Sequence, residues 1–315
     1  MKSLWLLFVG WILVACTNQS VQVPINGDRI VLRASGDTYM IKTDGSGKSS
    51  ERLPWKLKDQ PEWSPDGQWV AFGTKHSETD YESWVIYIMR SDTSHRKRVT
   101  YHHYGSSRPT WSPDGTRIAY YASDSDKEGI YTLNIECVLR QENCDSSPTF
   151  LTKGDSPDWS PDGKQIVYQR DYNKNPNIYV INIDGTGEPV NLTPGLGTCL
   201  DPKWAPDGSK ITFSCYQKGT HDIFIMNADG TGLVNLTQGI GSNTQPAWSP
   251  DGSKIAFVSS YRDGLGKQIG WLDTQRSSAM YVMSADGTGV TRLSLRDDEM
   301  VVWYTWLPSA FKKKP

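Results

Sequence analysis

The hydrophobic residues of this chain fall into short runs that are separated by turn sequences rich in Pro, Asp and Gly. Three such runs are Ile118–Tyr120, Ile130–Leu133 and Ile178–Ile181. Their length and their content of Ile, Val and aromatic residues predict β-strands. Because nearly every position within a run is apolar, we expect both faces of each strand to be covered by neighbouring sheets.

One turn sequence recurs along the chain and organises these runs into repeats. Trp-Ser-Pro-Asp-Gly, or once Trp-Ala-Pro-Asp-Gly, begins at Trp63, Trp111, Trp159, Trp204 and Trp248, and a shortened copy begins at Trp306. The copies lie 44 to 58 residues apart, which is close to the length of a β-propeller blade. After each full copy come two β-rich runs and a second turn sequence, typically Asp-Gly-Thr-Gly, that leads to an outer strand. The repeat predicts an all-β fold, a six-bladed β-propeller of four-stranded antiparallel blades.

The two ends of the repeat region complement each other. Residues 28–53 contain the second, third and fourth strands of a blade, and the missing inner strand corresponds to residues 301–308. We therefore expect the C-terminal strand to complete the N-terminal blade and close the ring, so that the propeller occupies residues 28–308 without an open edge. Residues 309–315 are expected to form a short basic tail.

The N-terminus has the pattern of an export signal. A positively charged start precedes the apolar run Leu4–Val14, which is too short to span a bilayer. The sequence Leu-Val-Ala-Cys that ends at Cys16 resembles a bacterial lipobox, which is cut before its cysteine. It predicts a lipoprotein signal peptide over residues 1–15, acylation of Cys16 and a tether over residues 16–27, with the acyl chains as the membrane anchor. The alternative is an ordinary secretory signal in which Cys16 is incidental.

The remaining four cysteines form two local pairs, Cys137 with Cys144 and Cys199 with Cys215. An even number of cysteines in an exported chain favours disulfides. A hairpin register that sets Trp204 opposite Lys210 also sets Cys199 opposite Cys215, and this predicts a cross-strand disulfide. The alternative is four buried thiols.

Composition and charge narrow the class of partner. The 315 residues include 33 Lys and Arg against 35 Asp and Glu, a net charge of −2, so no basic field attracts nucleic acid. The many Trp, Tyr, Gly and Pro residues suit short strands and tight turns. Intrinsic disorder, a coiled coil and a bundle of membrane helices are excluded. No cofactor is expected.

The five full turn sequences carry a resemblance to a known family. They are similar to the TolB-type β-propeller repeat, which is found in the C-terminal domain of TolB and, more loosely, in the propellers of prolyl-oligopeptidase-type peptidases and oligogalacturonate lyases. The resemblance covers residues 28–308. Together with the lipobox and the short stretch before the first strand, it predicts a lipoprotein form that lacks the N-terminal domain of TolB. It also implies a channel mouth that binds an extended peptide segment of a partner protein. We therefore expect a non-enzymatic, monomeric binding module in the bacterial cell envelope, on its periplasmic or extracellular side.

Two sets of loops are expected to surround the channel mouth, namely the loops from outer strand to next inner strand and those from second to third strand. Loops on a rigid scaffold are the usual place for recognition. The candidate mouth residues from these loops are Arg108, Asp155, Asp201, Asn243 and Gln245. The candidate anchors for a partner protein are Trp84, Tyr261, Arg262 and Trp271.

A metal-dependent, carbohydrate-active enzyme of the lyase type is the alternative function. Propeller lyases of this kind use His-rich metal sites, and this chain has His76, His102, His103 and His221 in loops of the candidate face. These histidines lie in different blades with no spacing that forces them together. We expect them to be exposed loop residues and predict no metal site and no catalytic group.

Overall fold

The computed structural model describes residues 29–34, 37–43, 51–53, 57, 60–76, 83–140, 147–172, 175–239, 241–260, 279–293 and 301–308. Within these ranges the chain forms six four-stranded antiparallel sheets and one short helix. This arrangement confirms the predicted all-β, six-bladed propeller. No helix among the described residues is long and apolar enough to cross a membrane.

The strands follow the predicted order from the inside of each blade to its outside. Blade 1 contains β1 (Arg29–Ala34), β2 (Asp37–Lys42) and β3 (Glu51–Leu53), and blade 2 contains β4 (Glu62–Trp63), β5 (Trp69–His76), β6 (Ser83–Arg90) and β7 (Lys97–Arg98). Blade 3 contains β8 (Gly105–Trp111), β9 (Arg117–Ser123), β10 (Glu128–Asn134), the helix α1 (Glu136–Leu139) and β11 (Thr149–Thr152).

The second half of the chain repeats the pattern. Blade 4 contains β12 (Asp155–Trp159), β13 (Gln165–Tyr172), β14 (Asn175–Asn182) and β15 (Val190–Asn191), and blade 5 contains β16 (Thr198–Trp204), β17 (Lys210–Gln217), β18 (Thr220–Asn227) and β19 (Val234–Asn235). Blade 6 contains β20 (Asn243–Trp248), β21 (Lys254–Ser259), β22 (Ala279–Ser284) and β23 (Thr291–Arg292). The last strand, β24 (Val301–Trp306), returns to blade 1.

The ring is closed by β24, as the complementary ends predict. This strand pairs antiparallel with β1, and Trp306 lies opposite Ile30 while Tyr304 lies opposite Leu32. The indole Nε1 of Trp306 also donates a hydrogen bond of 3.1 Å to the carbonyl oxygen of Ala247 in blade 6. The C-terminal strand therefore joins the first blade to the last.

The repeated turn sequence is held by its own side chains. In blade 2 the hydroxyl of Ser64 donates to the carboxylate of Asp66 at 2.5 Å, and the backbone N–H of Trp69 donates to Ser64 Oγ at 2.9 Å. Gly67 closes the turn with a φ of 67°, a conformation that glycine adopts without the steric cost of a Cβ. Each such turn fixes the register between the inner strand and the strand that follows it.

The hydrophobic core lies between successive blades. Between blades 4 and 5, for example, Val167 and Val180 pack in one buried cluster with Trp204 and Phe213. Full burial of an aliphatic or aromatic side chain of this size contributes about 1.5–3 kcal/mol. Because each blade is covered on both faces, its strands are apolar at nearly every position, as the sequence pattern indicates.

The inner strands of blades 3 to 6 each contain a bulge just before the Trp. In blade 5, Cys199 lies opposite Cys215, but the register shifts between Leu200 and Lys203. The prediction that Trp204 lies opposite Lys210 is therefore wrong, since the bulge adds one residue to the inner strand and Trp204 faces Ile211. The cysteine pair lies before the bulge and forms the predicted disulfide.

Several sequence-based predictions concern residues that the structure does not describe. Cys16 with its lipid, the anchors Tyr261, Arg262 and Trp271, and Cys144 lie outside the described residues. Cys137 belongs to α1, but its side chain is also outside the described part of the molecule. The disulfide between Cys137 and Cys144 and the lipid anchor remain predictions.

Candidate functional site at the channel mouth

The bulges give the inner strands an unusual backbone conformation next to the channel. The residue before the repeat proline has a positive φ in four blades, namely 54° at Arg108, 52° at Ser156, 52° at Asp201 and 55° at Gln245. Residues other than glycine rarely adopt this left-handed region. A bulge is a common way to redirect a side chain beside a functional site. Here it brings the same position of four blades to one pocket on the axis.

This channel pocket has a volume of about 180 Å³. Its polar lining includes the pre-proline residues of five inner strands, Gln60, Arg108, Ser156, Asp201 and Gln245. The rings of four of the following prolines, Pro109, Pro157, Pro202 and Pro246, and the side chains of Ala247 and Val302 supply apolar surface. The pocket therefore combines hydrogen-bonding groups and one guanidinium with a collar of apolar rings.

Arg108 links three blades at the mouth. Its Nη1 lies 3.6 Å from Asp155 Oδ2 in blade 4 and 3.6 Å from Asp201 Oδ1 in blade 5. The same nitrogen donates to the hydroxyl of Ser156. The side chain of Asp201 is 28% exposed, and the ion pairs of the mouth are therefore partly screened by solvent.

Lys203, which lies two residues after Asp201 on β16, forms a second ionic cluster. Its Nζ lies 3.1 Å from Asp158 Oδ1 and 3.5 Å from Glu62 Oε1. Asp158 is also held by the backbone N–H of Trp204, which donates to its Oδ2 at 2.8 Å. Glu62 belongs to blade 2, three blades from Lys203 in the ring. Lys203 thus joins opposite sides of the channel.

Burial changes the protonation of these groups. It raises the pKa of Asp201, although Arg108 and Lys203 oppose the shift. Burial likewise raises the pKa of Glu62 against the attraction of Lys203. For Lys203, burial alone would lower the pKa, but the adjacent Asp158 and Glu62 raise it, and the lysine stays protonated.

A larger cleft opens on the mouth face between blades 3 and 4. Its volume is about 920 Å³, and its walls include Tyr104, Tyr121 and Phe150 together with acidic and basic side chains. A groove of about 450 Å³ lies beside it and is lined by Trp84, Tyr104, Tyr121 and Arg108. Because Arg108 also lines the channel pocket, the channel pocket, the groove and the cleft adjoin one another.

The histidines do not share one environment. His102 is buried, its Nε2 lies 2.9 Å from the hydroxyl of Tyr120, and its Nδ1 lies 3.3 Å from Asp124 Oδ2. The prediction of an exposed loop position is therefore wrong for His102, because its ring packs against Tyr131 at 4.6 Å between centroids. Among the described residues, no group of three or more His, Cys, Asp or Glu side chains is placed to hold a metal ion.

The predicted mouth residues occupy three different environments. Arg108, Asp201 and Gln245 line the channel pocket, and Asp155 lies at the border with the cleft. Asn243 is fully buried, with Nδ2 3.5 Å from the carbonyl oxygen of Gly241, and does not line the pocket.

The predicted anchor Trp84 is half-buried in the groove. Sequence reasoning missed four pocket or channel residues, Gln60, Glu62, Ser156 and Lys203. Their position in the repeat is the signal that could have identified them. Gln60 and Ser156 lie three residues before the Trp of their repeats, and Glu62 and Lys203 lie one residue before it.

A family model described as the TolB beta propeller domain matches residues 147–306. The crystal structure of TolB from Acinetobacter baumannii is 22% identical with a TM-score of 0.65, and covers 89% of this chain and 66% of that chain. The present chain thus spans just under two thirds of that protein. A putative TolB from Agrobacterium tumefaciens is 23% identical with a TM-score of 0.62, over 89% of this chain and 98% of that one.

An oligogalacturonate lyase in complex with manganese is also similar, at 16% identity and a TM-score of 0.52, over 85% of this chain and 74% of that chain. At these identities the solved structures show a shared fold only. A search of curated proteins gives no match.

Proposed function

The chain belongs to the TolB beta propeller domain family, and from this premise we propose that it is a non-enzymatic binding module for a protein partner. The partner inserts an extended segment into the channel mouth. The observation that carries this proposal is the set of pre-proline bulges that direct Arg108, Ser156, Asp201 and Gln245 into one pocket. The left-handed backbone costs of order 1–3 kcal/mol at each such position, and strain of this kind is concentrated at functional sites.

The chemistry of the pocket suits a peptide. Gln245 carries both donors and an acceptor, Arg108 carries donors, and Asp201 accepts, so that the N–H and C=O groups of a peptide backbone find partners. The proline rings and Val302 offer apolar contact for a side chain. Apolar surface combined with precisely placed polar groups is typical of ligand pockets.

Export and lipid anchoring belong to the same proposal. The signal pattern before Cys16 and the disulfide between Cys199 and Cys215 both support an oxidising compartment outside the cytoplasm. A lipid on Cys16 would hold the propeller at a membrane surface. The partner would then be another protein of the cell envelope.

The test is capture of the partner with a charge-neutral variant of the mouth. The full chain carries an affinity tag after residue 315 and is purified from solubilised envelopes of the cells that express it. The variant Arg108→Gln with Asp201→Asn removes one positive and one negative charge, so that the net charge of the protein is preserved. We expect the wild type to capture a protein that the variant loses.

A second variant tests whether capture depends on carboxylates elsewhere on the surface. Glu136 and Glu188 lie beyond the third strands of blades 3 and 4, on the face opposite the mouth. Glu188 is exposed, and Glu136 is half-buried and forms an ion pair with Arg140. Glu136→Gln with Glu188→Gln should capture as much partner as the wild type. Equal capture by wild type and mouth variant, at equal melting temperature, would contradict the proposal. Metal that copurifies in stoichiometric amount with no captured protein would instead favour the lyase-like alternative.

A further inference from the structure

The two ionic clusters of the channel contain more negative than positive charge. Arg108 is shared by Asp155 and Asp201, and Lys203 is shared by Glu62 and Asp158. The six side chains therefore carry four carboxylates against two cations. Each carboxylate has only part of a counter-charge, and the surroundings screen it less well than bulk water. A cationic group that enters the mouth would meet a net attraction.

The cleft between blades 3 and 4 has the same bias. Five carboxylates, among them Asp155 of the channel clusters, and three basic side chains line it. Two of the basic groups already lie on aromatic rings, Lys127 at 5.2 Å from the ring centre of Phe150 and Arg170 at 5.8 Å from that of Tyr179. Asp126 and Asp171 are exposed within the lining. The cleft is therefore acidic, and its aromatic walls are close to its charges.

One aromatic residue of the cleft, Tyr104, is accessible. Tyr104 is 64% exposed although it is a large hydrophobic residue, and it lines both the groove and the cleft together with Tyr121. A ring face next to carboxylates favours ammonium and guanidinium groups through cation–π attraction. The aliphatic stems of Lys and Arg also pack well on such rings.

A continuous path joins the channel to the cleft. Arg108 lines both the channel pocket and the groove, and Tyr104 and Tyr121 line both the groove and the cleft. Asp155 lines the cleft and contacts Arg108 at 3.6 Å. An extended chain that leaves the pocket on this side would pass directly over blade 3 into the cleft.

We propose that the partner segment is basic and extended, and that it runs from the channel pocket through the groove into the cleft between blades 3 and 4, where its Lys or Arg side chains meet Asp126 and Asp171 beside Tyr104. This proposal rests on the proposed function, since it names the chemistry of the segment and the direction in which it leaves the mouth. Complementary charge in the cleft determines which segment binds, and the channel pocket fixes where that segment lies.

The experiment measures the binding of three synthetic probes to the full chain by fluorescence anisotropy. The probes are fluorescein-labelled nine-residue peptides of Gly and Ser that carry Lys, Gln or Glu at the same three positions. The cleft variant is Asp126→Asn with Asp171→Asn, and the matched control is Glu136→Gln with Glu188→Gln. Both variants remove two carboxylates and change the net charge equally.

We expect the Lys probe to bind the wild type more tightly than the Gln probe, and the Glu probe to bind least. In the cleft variant the Kd of the Lys probe should rise about three- to tenfold, whereas the matched control should change it less than about twofold. Equal weakening by both variants would show attraction by net charge alone and would overturn the proposal. So would an unchanged Kd in the cleft variant, or no preference for the Lys probe.

The two proposals fail separately. If envelope capture depends on Arg108 and Asp201 but the Lys probe shows no dependence on Asp126 and Asp171, the mouth binds a partner whose segment is not basic. If the Lys probe depends on the cleft but capture is unaffected by the mouth variant, then the proposed function is wrong. Melting temperatures of all variants identify any loss of binding that results from unfolding.

Discussion

Lys203 in blade 5 contacts Glu62 in blade 2, three blades away around the ring, at a distance of 3.5 Å between Nζ and Oε1. The two residues are 141 positions apart in the sequence. Lys203 also contacts Asp158 at 3.1 Å, and the three side chains form an ionic link across the channel.

Replacement of Lys203 tests the contribution of this link to stability. Lys203→Met removes the cation and leaves Glu62 and Asp158 without their shared partner. Because these side chains are about one-quarter exposed or less, the loss should be smaller than for a fully buried pair, about 1–3 kcal/mol in the free energy of unfolding. Urea unfolding measures the change. Lys164→Met, at an exposed lysine of blade 4, should cost less than about 0.5 kcal/mol, and an equal effect in both variants would contradict the argument.

Acid stability depends on the aspartates of the repeated turns. Hydrogen bonds from Ser160 and from the backbone of Lys164 lower the pKa of Asp162, and the turn donors at Ser209 do the same for Asp207. A lowered pKa in the folded state gives a stabilisation that is present above the unfolded pKa of about 3.9 and is lost as pH falls through the folded value. The melting temperature should therefore fall on acidification below about pH 5.

The variant Asp162→Asn with Asp207→Asn provides the control for this pH dependence. Asparagine keeps an oxygen acceptor in the turn but does not titrate, and the fall in melting temperature between neutral and acidic pH should be shallower than in the wild type. Protonation of Glu62 and Asp201, whose pKa values are raised by burial, acts in the opposite direction. An identical pH profile for wild type and variant would show that the turns are not responsible.

The disulfide between Cys199 and Cys215 should contribute measurably to stability. It closes a sequence separation of 16 residues, for which the chain-entropy relation gives about 3 kcal/mol. Both cysteines are fully buried, so alanine is the appropriate replacement. Cys199→Ala with Cys215→Ala should lower the free energy of unfolding by about 2–4 kcal/mol. Dithiothreitol should lower the melting temperature of the wild type by more than that of the double variant. Equal shifts would show that dithiothreitol acts on a bond other than the one between Cys199 and Cys215.

Gly154 connects the outer strand of blade 3 to the inner strand of blade 4, next to Asp155 of the mouth. Its φ is 147°, and a Cβ at this position would lie 2.5 Å from Tyr168 Cδ2 and 2.7 Å from the carbonyl oxygen of Gln169. Gly154→Ala should therefore displace the strand entry and lower stability by about 2–4 kcal/mol.

Gly185 is the matched control because it also has a positive φ, 74°, but nothing lies within 4 Å of an added Cβ. Gly185→Ala should cost only the backbone strain of about 1–2 kcal/mol. Urea unfolding of the two variants separates the steric contact from the conformational cost. Similar losses in both would mean that Tyr168 and the backbone of Gln169 move aside at little cost.

The turn sequences were sufficient to predict the blades because the interactions that hold each turn lie within a few consecutive residues. Ser64 and Asp66 bond within the turn, Pro65 restricts φ, and Gly67 supplies the positive φ. Closure by β24 also followed from local patterns, since a blade without an inner strand and an inner strand without a blade stand at opposite ends of the repeats. These parts of the fold are therefore readable from the sequence.

The site was predicted only in part, because a bulge moves the register by one residue. Arg108, Asp201 and Gln245 immediately precede the repeat proline, and they line the channel pocket. Asn243 lies two residues earlier and is buried, although it belongs to the same loop-to-strand region. The contact between Lys203 and Glu62 has no local signature, since only the curvature of the complete ring brings blades 2 and 5 together.

The pairing of β24 with β1 makes closure of the ring depend on strands that are far apart in the sequence. A chain that has been made only as far as residue 293 already contains the inner strands of blades 2 to 6, yet β1 has no partner on its inner side. Trp306 then cannot donate to the carbonyl oxygen of Ala247, and the buried cluster that blades 1 and 6 share lacks Val301, Tyr304 and Trp306. The ring of hydrogen-bonded blades is therefore complete only when strands from opposite ends of the repeats have paired.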